Sequence, residues 1–234
     1  MSDEKTMNSQ LPAVHEPLSD AVAALLPGAQ VIPQALPGID DLQLLLLNPD
    51  YPQHELPPEQ AARLMDEPLY WTFCWASGLV LARWLMDNPD AVAGKRVLDF
   101  GAGSGVVAIA AARCGATEVI ACDLDPLALR ACAANAALND VDLTLASDYA
   151  AVEGDIDVIL VADVLYDRSN LPWLSRFVGR AKDVVMADSR LPDFKHPNYR
   201  FISQHEASTW PDLDESQEFR KVRLYCSTAT KESN

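Results

Sequence analysis

Val97-Leu98-Asp99-Phe100-Gly101-Ala102-Gly103-Ser104-Gly105 reads as a short apolar strand that turns sharply into a helix through three alternating glycines. A glycine lets the backbone approach a ligand where a Cβ would clash, and residues 106–114 that follow are strong helix formers. The pattern therefore predicts a ligand over a helix N-terminus. Its spacing is G-x-G-x-G, with Val106 where a dinucleotide fingerprint needs its third glycine. That argues against NAD or FAD and fits a turn that carries S-adenosylmethionine (SAM). Outward from this turn, residues 118–121 read as a second strand that ends at Cys122-Asp123-Leu124-Asp125-Pro126, and Asp123 lies 22 residues beyond Gly101. In a doubly wound sheet, the carboxylate closing the second strand faces the ribose of a nucleotide on the first loop and accepts from its hydroxyls. Asp125, just before Pro126, reads as a helix cap in preference to a ligand group. Strand, glycine turn, helix, strand and acid follow in the order of one βαβ unit.

Composition bounds the reading. The chain has 234 residues, 49% of them hydrophobic, enough for one substantial core. Its net charge of −16 disfavours nucleic-acid phosphates and anionic membrane surfaces and favours a cationic partner. The acidity concentrates before the glycine turn, with 3 basic and 13 acidic residues up to Gly94; surface acidity also serves solubility alone. Cys74, Cys114, Cys122, Cys132 and Cys226 are odd in number and scattered, and the four histidines are equally dispersed. This is the pattern of buried thiols in a reducing compartment, with no metal site. No targeting signal or spanning segment is legible, so a cytoplasmic enzyme is expected.

Along the chain, residues 1–17 read as a mobile tail, 18–75 as an N-terminal extension, and 76–230 as the main domain. Within the extension, 20–26 reads as helix and 42–47 as strand. Helices are expected at 76–87, 127–139 and 171–182, and strands at 141–145, 157–161, 183–187, 199–205 and 218–227, the last two paired as an antiparallel hairpin. This alternation predicts an α/β fold with a mostly parallel sheet covered on both faces. Loops after Phe100, Ala121, Ala146, Val161 and Ala187 should line one crevice at the carboxyl ends of the strands.

The fourth of these loops is Ala162-Asp163-Val164-Leu165-Tyr166-Asp167. A carboxylate beside an aromatic hydroxyl can hold an amine by charge-assisted hydrogen bonds and ring contact. Equally, Asp163 can cap the next turn while Tyr166 packs on the sheet; spacing alone leaves both readings open.

Trp71-Thr72-Phe73-Cys74-Trp75, the helix running to Asp87-Asn88-Pro89-Asp90, the VLDFGAGSG turn, CDLDP and Asp163-Val164-Leu165-Tyr166 together resemble the seven-β-strand protein lysine methyltransferases. Within that group the chain is most similar to the electron transfer flavoprotein β-subunit lysine methyltransferases, over about residues 37–190. A more distant similarity to ribosomal protein L11 methyltransferases rests on CDLDP. The resemblance implies a class I methyltransferase, Rossmann-like fold with sheet order 3-2-1-4-5-7-6 and strand 7 antiparallel, SAM as cofactor, and a protein lysine as acceptor. It implies Gly101, Ala102 and Gly103 under the methionine portion, Asp123 on the ribose with Leu124 adjoining, and Asp148 and Tyr149 at the adenine. Trp75 would lie along the cofactor, with Ala162 bordering it, although Trp75 can also be read as a core anchor. Asp163 and Tyr166 match the D-x-x-Y motif at the lysine channel. The chain departs from the pattern at Ala76-Ser77-Gly78, where relatives often show Pro-Gly-Gly, and in the short span 190–198, which leaves little room for the usual helix. Both departures bear on acceptor choice. Two other functions fit less well: N-methylation of a small nitrogen heterocycle such as nicotinamide, which needs a closed pocket, and binding of SAM without turnover.

Overall fold

The computed structural model describes residues 15–52, 57, 59, 64, 66, 68–166 and 168–227. The first fourteen positions of the expected tail lie outside the described residues.

The main sheet has seven strands: β3 (Arg96–Phe100), β4 (Glu118–Cys122), β5 (Thr144–Ala146), β6 (Ile156–Ala162), β7 (Ala181–Asp188), β8 (Tyr199–Glu206) and β9 (Lys221–Ser227). Their spatial order is β5-β4-β3-β6-β7-β9-β8. The five strands from β5 to β7 are parallel, and β9 runs antiparallel to both of its neighbours. Numbered from β3, this is the expected 3-2-1-4-5-7-6 order. The central strands are apolar on both faces because both faces are covered. Val97, Val119, Val158, Leu160 and Ala187 pack with helices α2 (Ala76–Asp87) and α3 (Val106–Arg113), whereas Leu98, Ile120, Ile159, Val161 and Met186 pack with Leu174 and Phe177 of α5 (Trp173–Arg180).

Boundaries differ from expectation where polar residues and prolines set them. After α4 (Pro126–Leu138), Asn139 and Asp140 form a turn, with Asp140 at φ +54° and Val141 N–H donating back to the Ala136 carbonyl, so β5 starts at Thr144 and not at 141. Pro172 precedes α5, which begins at Trp173, and the chain passes from Arg180 directly into β7. Between β7 and β8 the described residues contain no helix; the Asp188 carboxylate accepts from the N–H groups of Arg190 and Leu191 and organises a turn there.

The N-terminal part is helix α1 (His15–Leu25), which starts earlier than the expected 20–26, and an antiparallel hairpin of β1 (Val31–Ala35) and β2 (Gln43–Leu47). The sequence reading found β2 but not β1, whose Pro33 and Gln34 interrupt the apolar pattern. The hairpin is fastened to α4 by two asparagines. Asn135 Oδ1 accepts from Leu45 N–H at 2.7 Å while its Nδ2 donates to the Ser104 carbonyl at 2.8 Å. Asn139 accepts from Gln43 N–H and donates to the Gln43 carbonyl. Asn135 is fully buried, so it ties β2 to the glycine turn through a water-free contact. No helix of the described residues is long and apolar enough to cross a membrane.

Candidate active site

A cleft of about 1240 Å³ opens at the carboxyl ends of the parallel strands, and all five loops expected to line it do so. Gly101 and Gly103 come from the loop after β3, Asp123 and Leu124 after β4, Asp148 and Tyr149 after β5, Ala162 and Asp163 after β6, and Arg190 after β7. Trp75 completes the wall from the segment before α2. Residues 102 and 166 behave differently. Ala102 is buried in the core beneath the turn, its N–H donating to the Cys122 carbonyl, and it is not part of the lining. The backbone of Tyr166 closes the short turn Val164–Tyr166, and its side chain lies outside the described residues.

At one end of the cleft the surface is made of backbone. Gly101 and Gly103 have φ +71° and +53°, a left-handed conformation that a side chain would strain. A Cβ on Gly101 would meet Val164 Cγ1 at 3.0 Å, whereas one on Gly103 would find nothing closer than the Gly101 carbonyl oxygen at 3.9 Å. Gly103 therefore faces open space. Asp123 Oδ2 accepts from Gly103 N–H at 2.9 Å and Oδ1 from Asp125 N–H at 3.0 Å, which fixes the carboxylate and leaves lone pairs on both oxygens for a diol. Burial pushes its pKa up against the opposing pull of these two N–H donors. Asp125 caps α4 through Leu127 N–H, its structural role. Leu124 is 85% exposed, an apolar side chain left at the cleft with nothing packed over it. The Tyr149 hydroxyl is buried without a hydrogen-bond partner, and its ring meets Phe100 and Trp173 edge-on at 5.6 and 5.2 Å.

The other end is made of side chains. Trp75 Nε1 donates to the Tyr70 carbonyl, and its ring stands edge-on to Tyr70 and Phe73. Arg190 lies 4.1 Å from the Phe219 ring and 5.9 Å from that of Trp75, and pairs with Glu215 at 2.8 Å. Thr209 donates to the second oxygen of Glu215, and Trp210 exchanges two backbone hydrogen bonds with Cys74, so the segment between β8 and β9 is tied down over the 70–75 run. Asp163 adopts φ +49°. Its carboxylate caps neither the turn that follows nor a nearby helix in sequence; it accepts from Ser77 at the N-terminus of α2, where Trp75 offers no side-chain cap, and from Ser189 at the end of β7. Negative charge at that helix end is favourable. Sequence reasoning missed Arg190, Phe219 and Trp173, which reach the cleft from different segments and carry no local signal, and Ser189; it marked Ser77 only within the Ala76-Ser77-Gly78 departure.

The match to known proteins follows the same geometry. A family model described as ribosomal protein L11 methyltransferase (PrmA) matches residues 84–174. The solved ribosomal protein L11 methylase from Lactobacillus delbrueckii subsp. bulgaricus superposes with a TM-score of 0.50 at 23% identity, over 64% of this chain and 77% of that one. The chain thus has the Rossmann-like fold of the class I methyltransferases. Among curated relatives, the electron transfer flavoprotein beta subunit lysine methyltransferase of Rattus norvegicus is 36% identical over 133 residues, 53% of this chain and 52% of that protein. The ribosomal protein L11 methyltransferase of Thiobacillus denitrificans is 39% identical over 114 residues, 48% of this chain and 38% of that protein. This chain thus spans about half the length, or less, of these curated relatives.

Proposed function

We propose that this protein is a SAM-dependent N-methyltransferase that modifies the ε-amine of a lysine in a soluble protein, with an electron transfer flavoprotein β-subunit as the first candidate acceptor and a ribosomal protein as the second. The observation that carries the reading is that one cleft joins a backbone-lined nucleotide end, at Gly103 and Asp123, to an aromatic and carboxylate end, at Trp75 and Asp163. The residues present fit SAM: the open space over Gly103, the fixed carboxylate of Asp123, the unpartnered Tyr149 hydroxyl and the uncovered Leu124 match a methionine chain, a ribose diol and an adenine. When bound, SAM supplies a methyl group already activated by its sulfonium.

What remains for the chain is alignment and exclusion of water. In this reading Trp75 lies along the cofactor, and Tyr70 and Phe219 line the cleft where the aliphatic part of a lysine passes. Asp163 accepts a hydrogen bond from the amine and orients its lone pair. A carboxylate favours ammonium, so Asp163 acts by alignment, and the proton leaves to solvent before the nitrogen–carbon bond forms. The test is to incubate the purified protein with radiolabelled SAM and a lysate of its own host lacking the gene, then map label by mass spectrometry. Label on a β-subunit lysine supports the proposal; label confined to small molecules favours the heterocycle reading, and SAM binding with no transfer removes the enzyme reading.

A further inference from the structure

The Asp163 carboxylate is held asymmetrically. Oδ1 accepts three hydrogen bonds, from Ser77 Oγ at 2.6 Å, Ser189 Oγ at 2.9 Å and Ser189 N–H at 3.1 Å. Among the described residues, Oδ2 receives only the Ser77 N–H, at 3.3 Å. A carboxylate oxygen has two lone pairs, so Oδ1 has no capacity left for a further donor, while Oδ2 keeps room for one. Ser77 is fully buried and Ser189 is 4% exposed, so water does not compete for these contacts. The two serines come from opposite sides of Asp163, from the first turn of α2 and the end of β7, 86 and 26 residues away in sequence. Asp163 itself has a positive φ that a non-glycine residue holds only when its surroundings enforce it. The hydroxyls and N–H groups of the two serines are those surroundings.

We propose that Ser77 and Ser189 form a clamp that fixes the Asp163 carboxylate with Oδ1 saturated and Oδ2 presented to the acceptor amine, making them positioning residues for methyl transfer. The inference rests on the lysine-methyltransferase reading above. It explains how a carboxylate in the lining of a cleft keeps one orientation with no arginine or lysine paired to it among the described residues, and it assigns the amine to a particular oxygen. Displacement of an aligning group by about 1 Å costs on the order of 100-fold in rate, so loss of one hydroxyl should be felt in turnover and not in cofactor binding.

The experiment compares Ser77→Ala, Ser189→Ala and the double variant with wild type. It measures methylation of electron transfer flavoprotein β-subunit at saturating SAM, the SAM dissociation constant by calorimetry, and the melting temperature. The expected result is a fall in kcat of about 10-fold for each single variant and about 100-fold for the double, with the SAM constant within twofold. Ser189→Thr, which keeps the hydroxyl and suits a strand end, should retain most of the wild-type kcat. Unchanged kcat in all three alanine variants overturns the clamp. So does a parallel loss of kcat, SAM affinity and melting temperature that Ser189→Thr shares, since the serines would then only support the fold. If wild type itself transfers nothing to the β-subunit, the acceptor assignment fails separately. The clamp is then decided by crystal structures of the alanine variants: an Asp163 carboxylate that swings away sustains it, and one that stays in position refutes it.

Discussion

The two ends of the cleft are built in opposite ways. At the glycine-turn end the contacts are made by backbone and span short distances in sequence, as between Gly103 and Asp123, 20 residues apart. At the Asp163 end they are made by side chains drawn from the 70–75 run, α2, β7 and the β8–β9 segment, with Ser77 and Asp163 separated by 86 residues. A backbone-made surface is indifferent to most side-chain changes and can be reused for one ligand, whereas a side-chain-made surface can be altered one residue at a time. That division suits an enzyme with a constant cofactor and a variable acceptor.

The comparison is broken most severely by removing Asp163. Asp163→Ala takes away the proposed amine acceptor and the trans cap of α2 together, so kcat should drop by about 1000-fold or more while SAM affinity changes less than threefold. Calorimetry beside steady-state kinetics separates the two ends; a collapse of SAM binding in this variant would mean that the ends are not independent. Next in size, Asp123→Ala should weaken SAM binding by about 100-fold, the loss of two hydrogen bonds to a charged group, with kcat largely restored at saturating SAM. An unchanged dissociation constant would sink the ribose assignment of Asp123.

The same division decides what was legible in the sequence. Gly101, Gly103 and Asp123 announce themselves because a strand, a tight turn and a closing acid need those residue types at fixed spacing; the strand alternation that follows predicted a mostly parallel sheet, and the order of its seven strands came from the family resemblance and is the order observed. Asp163 was legible as a position, from its place after β6, but not in its partners: of the two readings, a local cap or an amine holder, the structure replaces the first with a cap on a distant helix and leaves the second to experiment. Ser77 was marked only as part of a departure from the family pattern and Ser189 not at all, until folding brought both to one carboxylate. Arg190 and Phe219 were likewise invisible, since the ion pair to Glu215 and the ring contact depend on how residues 207–220 return across the cleft. Strand β1 was missed for a simpler reason, a proline and a glutamine inside five residues.

A smaller effect tests whether the N-terminal hairpin belongs to the glycine-turn end. Asn135→Ala leaves the Leu45 N–H and the Ser104 carbonyl buried without partners, at a cost of about 2–4 kcal/mol. Because Ser104 lies in the glycine turn, SAM affinity should weaken with stability. Thermal unfolding within a degree of wild type would show the hairpin to be an ornament on α4.

The smallest expected effect comes from Asp188, which lies beside Ser189 but outside the cleft lining, 1% exposed and with Oδ2 unpartnered. Burial and the neighbouring Asp163 charge raise its pKa from 3.8 to about 6. A carboxyl raised on folding contributes stability that is complete below the unfolded value of 3.8 and is lost as pH rises through about 6, so at pH 8 the ionised group works against the fold. Asparagine at this position keeps an oxygen for the Arg190 and Leu191 N–H groups and removes the charge. Asp188→Asn should therefore stabilise the protein at pH 8 by on the order of 2 kcal/mol, with the advantage shrinking to nothing by pH 4. Asp99, fully buried and raised to about 7, titrates in both proteins and cancels in the difference. Urea unfolding of both proteins at pH 4, 6 and 8 measures this directly. A wild-type advantage at pH 8 would mean that the Asp188 charge is held by a partner at the acceptor end, and would join it to the Asp163 machinery; the expected pH-dependent gain separates a carboxyl that shapes the β7 turn from the one that faces the amine.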